Sequence, residues 1–395
     1  MAFLAACMTN LSYGAGFALY EFSGRSTAMG GAVMASSAEP ASLATNPALI
    51  TELDGTQVQL GGTVVSAHAK TSIKSPLTGK YETRELKRDI WTLPNFYITH
   101  KWSDDVSFGL GGFSRFGLGG TYKNHANWYG SYLAYHVKLE TFSFTPTIAI
   151  KANDQFSMAM GLEAMTIDFT QKANGMNPPG STYEIHGDGV SWGGNFSLIY
   201  RPQWAEKWSL GAMYRTKVKQ NLNGYINTST GNTIKDFYGR EVVRDSDAKG
   251  SITLPDSISL GLAFRPDENW TLELGAVATM WSSYDQITIE YKDTIRANFG
   301  AEYQFVPKWF ARAGYVYDKS PINEHAMDTL VPVDDRHIAS LGLGYKGETW
   351  SADFAYAHIF GRHLKGDSNA QFGHVPMRYG TGGGDMFALT IGYKF

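Results

Sequence analysis

Three short stretches of the chain carry spacings that could do chemistry. Gly189-Val190-Ser191-Trp192-Gly193 has the spacing of a nucleophile elbow, which would make Ser191 an ester-cleaving nucleophile. That chemistry needs a strand–turn–helix context to expose the serine, whereas the residues on both sides of Ser191 read as strand. Gly342-Leu343-Gly344-Tyr345-Lys346-Gly347 fits a dinucleotide fingerprint, yet it leads into a tight turn and another strand rather than a helix. His358 and His363 lie five apart, without cysteine or a carboxylate set to complete a metal site. The sole cysteine, Cys7, falls in an apolar leader. The residues therefore point to no catalytic group, no metal and no cofactor.

The elements that would have to position such groups are strands. In the last ten residues Phe387, Leu389, Ile391, Tyr393 and Phe395 fall on one face, against Met386, Ala388, Thr390, Gly392 and Lys394 on the other. Two-residue alternation of this kind marks a strand with one side in an apolar medium. It recurs in Trp350 to Tyr356, Trp309 to Tyr317, Ile295 to Phe305 and Ile258 to Phe264. A soluble sandwich would fill the second face with Lys, Glu and Asp. Here it holds Gly, Ser, Thr, Asn and a few isolated charges, as a wet or partly filled lumen would.

Composition agrees. The 395 residues include 43 Gly, 22 Tyr, 22 Phe and 10 Trp, and mean hydropathy is −0.24. No apolar run approaches the length of a membrane-spanning helix. With 34 Lys and Arg against 37 Asp and Glu, there is no basic excess to hold nucleic acid. Short turns at 103–105, 152–154, 265–269, 306–308 and 346–348 alternate with long stretches near 70–87, 119–136, 174–187, 228–250, 319–335 and 365–383. Short turns at one end and long loops at the other are the outer-membrane asymmetry. Fourteen strands are expected, starting near 56, 88, 105, 138, 155, 188, 207, 251, 270, 293, 308, 336, 349 and 385.

The fold class expected is all-β: a 14-stranded antiparallel transmembrane β-barrel with a small N-terminal hatch. Residues 1–14 read as a secretory signal lacking its charged start, although Leu4-Ala5-Ala6-Cys7 also fits a lipoprotein box. Residues 15–54 are rich in small residues and show no alternation. By themselves they suit either a plug within the barrel or a periplasmic tail. Residues 55–395 form the barrel.

Ala15-Gly16-Phe17-Ala18-Leu19-Tyr20-Glu21-Phe22-Ser23, followed by Thr45-Asn46-Pro47-Ala48-Leu49-Ile50, resembles the N-terminal hatch of the FadL/TodX-type outer-membrane transporters of long-chain fatty acids and aromatic hydrocarbons. The Asn46, Pro47, Ala48 triplet is the most specific local sign. The resemblance continues through Phe113-Ser114-Arg115-Phe116-Gly117-Leu118, Ile252-Thr253-Leu254-Pro255-Asp256-Ser257, Thr279-Met280-Trp281-Ser282-Ser283-Tyr284, Tyr315-Val316-Tyr317-Asp318-Lys319-Ser320-Pro321 and Val331-Pro332-Val333-Asp334-Asp335-Arg336.

The resemblance implies a monomer in the Gram-negative outer membrane, in contact with outer-membrane lipid. A hydrophobic small molecule would be captured outside, held beside the hatch N-terminus and released sideways through a gap at a kink in the third strand. Phe17, Leu19, Ser114, Phe116, Lys292 and Arg296 are the ligand-binding residues it suggests. Gly109, Gly111, Gly112 and Gly117 mark the kink; from the residues alone, these glycines suit barrel corners equally well. By alternation Lys292 and Arg296 share the lumen face, where they would hold a carboxylate or pair with Glu273 or Asp168. Two departures stand out. Asp168 takes the place of a basic residue that faces the ligand head group in the family's fifth strand, and the loop at 175–187 is short. Fatty acids are the first expected ligand and monoaromatic hydrocarbons the second. A general diffusion porin and an outer-membrane lipase using Ser191 are the competing classes.

Overall fold

A computed structural model of the chain describes residues 16–395, apart from 238, 285–290, 323, 326, 328, 330–333 and 369–371. The leader at 1–14 with Cys7, Ala15, and Val331, Pro332 and Val333 of the last motif lie outside the described residues. Fourteen antiparallel strands close on themselves. In chain order they are Thr56–His68, Ile90–Lys101, Val106–Phe113 continued by Gly117–Thr121, His136–Lys151, Phe156–Asn174, Thr182–Tyr200, Trp208–Arg215 continued by Val218–Thr228, Asp245–Leu254 continued by Ser257–Phe264, Trp270–Thr279, Thr294–Val306, Trp309–Asp318, Arg336–Lys346, Trp350–Gly361 and Gly383–Lys394. Leu60 of the first strand lies opposite Phe96 of the second and Ile391 of the fourteenth, so the sheet seals at its seam.

The alternation has the orientation that lipid demands. Phe387, Leu389 and Ile391 are exposed while Met386, Ala388 and Thr390 are buried. Six of the ten tryptophans, Trp102, Trp204, Trp208, Trp270, Trp309 and Trp350, are exposed at the short-turn end, as an interfacial ring.

Two expectations about loops need correction. The sixth and eighth strands begin at Thr182 and Asp245, not near 188 and 251, so half of the expected loop at 174–187 and part of that at 228–250 is strand. There the wall rises beyond the lipid-facing rings and its outer residues include Lys172, Glu184 and Asp188, so the apolar alternation fades. The stretches 70–87 and 365–383 likewise build a four-stranded sheet, ordered Leu364–Asp367, Pro376–Tyr379, Lys70–Lys74, Tyr81–Glu85.

The N-terminal segment runs inside the barrel. Ser23 caps the helix Gly24–Ala28 by accepting from Ser26 N, and a second short helix spans Ser42–Thr45. Asn46 caps the 3-10 turn Pro47–Glu52, with Pro47 at its first position, where no N–H is needed. Small side chains (Ala28, Ala32, Ala35, Ala44, Ala48) are wholly buried against the wall. The wall answers with glycine: a Cβ at Gly211 would overlap the Met34 carbonyl, and one at Gly314 the backbone of Met29 and Gly30. Charges fix the seat. Glu302 accepts from Arg25 of the segment at 3.0 Å and from Arg312 of the wall at 2.6 Å, and Arg312 reaches Asp353 at 2.6 Å. Asn46 Nδ2 donates to the carbonyls of Met34 and Leu198. In Gly211→Val or Gly314→Val the added side chain should cost about 1–3 kcal/mol and lift the segment from the wall. Steady ion conductance across planar bilayers should then exceed that of the wild type; equal conductance would mean that the segment does not seal the lumen.

Candidate functional site

The third strand breaks where lipid would forbid a free edge. Its pairing with the second strand stops at Phe96 opposite Gly112 and resumes only at Leu86 opposite Tyr122. Between these points Gly117–Thr121 forms a ladder with the fourth strand and not with the second, and residues 91–95 pair with the first strand alone. Pro94 in this stretch has no N–H to present to the gap. A window results between the second and third strands.

The backbone groups released by the break at 114–116 find partners in the N-terminal segment. Leu19 N donates to Arg115 O at 2.8 Å, and Gly117 N donates to Phe17 O at 2.9 Å, which sets Ala18 opposite Phe116. The segment thus serves as a short replacement strand. Around it Phe17 packs edge-on to Phe116, Trp281 and Tyr284, at 4.9–5.8 Å between ring centroids.

Beside this pairing lies a cavity of about 620 Å³, within the range of small-molecule sites. Phe17, Leu19, Ile338 and Met386 line it from the lumen, and Phe142, Thr166 and Asp168 from the outer face of the fourth and fifth strands. The cavity therefore passes through the wall. At its outer mouth Phe96, Phe142 and Phe144 cluster on the lipid side, with centroids 5.2–6.5 Å apart. Glu140 and Asp168, both bound to Lys138, stand on the polar side.

Among the residues singled out from sequence, Phe17, Leu19, Ser114, Phe116 and Gly117 line this cavity. Gly109, Gly111 and Gly112 stay within the paired ladder. They make room for Leu43, Tyr97 and Phe96, and the break begins only after Phe113. Lys292 precedes its strand and is exposed, so it does not share a face with Arg296. Arg296 is buried and held to the N-terminal segment: it donates to Gly30 O at 3.2 Å and its guanidinium lies 4.2 Å from the centre of the Tyr20 ring. Its carboxylate partner is Asp318, at 3.8 Å, rather than Glu273 or Asp168. Glu273 instead accepts from the Met34 and Ala35 amides. Asp168 faces outward, because the inner face of the fifth strand carries Glu163, Met165 and Ile167. Ser191 sits mid-strand opposite Met165, with no strand-to-helix turn to expose it. His358 bonds Asp385 on the outer wall.

Sequence reasoning missed the ion cluster beneath the kink. Arg115 Nη1 donates to Glu163 at 2.7 Å, and Arg215 Nη1 lies 3.8 Å from the same oxygen. Arg215 also donates to Ala44 O of the N-terminal segment at 2.7 Å. All three charged side chains are buried. One carboxylate therefore ties the kink, the wall and the N-terminal segment together. A signal existed, since Glu163 is a lone acid on an inner face otherwise made of Ser157, Ala159, Gly161, Met165 and Ile167. Glu163→Gln leaves two buried guanidiniums without their counter-ion, which should lower unfolding free energy by about 3–5 kcal/mol. Amide exchange at 113–121 should also quicken. A stability loss below about 1 kcal/mol, with unchanged exchange, would show that the cluster does not fix the kink.

Comparison with known proteins agrees with this architecture. The family model described as outer membrane protein transport protein (OMPP1/FadL/TodX) matches residues 5–395. A long-chain fatty acid transport protein of Escherichia coli O6:H1 is 24% identical, over 92% of this chain and 91% of its own. Outer membrane protein P1 of Haemophilus influenzae is 22% identical, over 99% and 98%. Among solved structures, a Pseudomonas aeruginosa FadL homologue superposes with a TM-score of 0.83 at 21% identity, covering 96% of this chain and all of its own. The Pseudomonas putida toluene transporter TodX gives 0.69 at 17% identity, covering 96% and 98%. The closed barrel with its lipid-facing wall, together with these relatives, puts the protein in the Gram-negative outer membrane. The chain belongs to the OMPP1/FadL/TodX family of outer-membrane transporters of hydrophobic compounds.

Proposed function

We propose that this protein carries long-chain fatty acids passively into the outer membrane, with residues 15–54 as a movable hatch and the window at the third strand as exit. The observation that carries the reading is the cavity, which runs from the hatch N-terminus through the wall to the lipid-facing phenylalanines. Relatives aligned over nine-tenths of both chains are named for long-chain fatty acid transport, which supports the choice of ligand. A second reading, uptake of monoaromatic hydrocarbons by the same route, draws on the rings of Phe17, Phe116, Trp281 and Tyr284 beside the cavity.

Magnitude argues for a moving part. Burying an acyl chain gains ~0.8 kcal/mol per methylene, so a fourteen-methylene tail is worth roughly 11 kcal/mol gross. Such a ligand leaves slowly unless the pocket changes shape. Because Phe17 and Leu19 share backbone hydrogen bonds with the kink, withdrawal of the hatch N-terminus would remodel pocket and window in one step.

Mass spectrometry of the protein purified in mild detergent should reveal bound long-chain acids. Bound aromatics would favour the second reading. An empty protein with steady ion conductance would favour a diffusion porin. Ala18 and Phe116 form a non-hydrogen-bonded pair, the closer of the two antiparallel spacings, so cysteines there suit a disulfide. In an Ala18→Cys/Phe116→Cys protein with Cys7 replaced by serine, oxidation should stall uptake and reduction should restore it. Unchanged uptake by the oxidised form would rule out hatch movement as the release step.

A further inference from the structure

The charge of the extracellular crown is lopsided. Residues 69–90 and 361–383 hold nine Lys and Arg against four Asp and Glu, an excess of five in a chain of net −3. The remainder of the chain therefore carries −8. These two segments supply the four-stranded extracellular sheet.

One face of that sheet is committed. Thr71, Ile73, Met377 and Tyr379 are buried over the aromatic cluster of Tyr122, Trp128 and Phe372. The other face must look away from the barrel axis, over the surrounding membrane surface. Across it Lys365 lies opposite Arg378, Arg378 opposite Ser72, and Ser72 opposite Thr83. Lys70 and Lys74 flank Ser72 on the same face.

The acids on this face are already engaged. Glu85 is held by Lys70 at 2.7 Å, and Asp367 by His325 and His374 at 3.0 and 3.1 Å. Among the described residues no carboxylate pairs with Lys74, Lys365 or Arg378. Arg378 lies 3.9 Å from the centre of the Tyr81 ring, which orients it without neutralising it.

Height narrows the partner. Phe360 is the last exposed apolar wall residue of the thirteenth strand, and Lys365 follows it by five positions. At the usual strand rise and barrel tilt, the basic row stands roughly 10–15 Å above the apolar band. In the outer leaflet of a Gram-negative outer membrane that level is occupied by the phosphorylated sugars of lipopolysaccharide. Guanidinium and ammonium groups are suited to phosphate, the first by paired donors and the second as a point charge. We propose that this sheet face binds the phosphorylated headgroup of outer-leaflet lipopolysaccharide, with Lys74, Lys365 and Arg378 as its cationic contacts. The second strand, which connects to this sheet, is also one edge of the window, so the bound lipid would stand beside the exit.

The test titrates the full chain, in mild detergent, with rough-type lipopolysaccharide. Replacing Lys74, Lys365 and Arg378 together by glutamine should weaken binding on the order of a hundredfold, taking the usual electrostatic worth of three such charges. Glutamine at Lys151, Lys207 and Lys308, at the short-turn end, should leave affinity unchanged. Phosphatase-treated lipopolysaccharide should bind the wild type as weakly as intact lipid binds the triple variant, an arm that needs no variant to fold. The proposal is overturned if the triple variant or the dephosphorylated lipid binds within threefold of the wild-type value. It is equally overturned if phosphatidylglycerol at equal phosphate binds the wild type as tightly as lipopolysaccharide.

Discussion

Within hydrocarbon no water can satisfy a backbone N–H or C=O, so a barrel strand that leaves its neighbour must find other partners. This constraint governs the molecule. The third strand parts from the second over about ten residues, and some of the freed groups are taken up by Phe17 O and Leu19 N. The N-terminal segment is therefore bound to the lumen twice, once as filling and once as a borrowed strand. Every other feature of the site is arranged around that loan of two hydrogen bonds.

The interior electrostatics follow from the same arrangement. A segment that filled the lumen by apolar packing alone would be hard to shift without exposing its core. Here apolar side chains pack it against the wall, and a few discrete polar contacts fix its place: Arg25 on Glu302, the Met34 and Ala35 amides on Glu273, and Arg215 and Arg296 on its carbonyls. Arg25 and Arg312 share Glu302, Arg115 and Arg215 share Glu163, and Arg296 and Arg336 share Asp318. In each case one carboxylate serves two guanidiniums, so a bond can transfer from one partner to the other without leaving a bare acid. Buried pairs of this kind fix geometry more than they add stability.

Much of the fold was legible because alternation is a strong signal wherever one face meets lipid. The last strand, Gly383–Lys394, is an example: its four outward positions from Phe387 to Tyr393 are all apolar or aromatic. The signal failed where the wall leaves the membrane. Lys172, Glu184 and Asp188 replace the apolar residues there, and strand looked like loop. The site was legible only in part. Phe17, Leu19, Ser114 and Phe116 came from a family likeness in the motif itself. Parity joins Lys292 to Arg296 only where 292 is strand, and the ladder begins at Thr294. The glycines between 109 and 112 drew attention to the right strand but the wrong turn of it, since glycine also appears where a wall must admit Leu43 or Phe96.

The ring of tryptophans at the short-turn end fixes where the barrel sits along the membrane normal. The window, at the opposite end, is a constant distance from that ring because the wall between them is rigid sheet. Bilayer thickness then decides what the window faces. In a thin membrane it would open among headgroups and water, and in a thick one among acyl chains. On the proposed exit route, cargo would leave at different depths as lipid composition changed, which would make the membrane itself a determinant of what can leave.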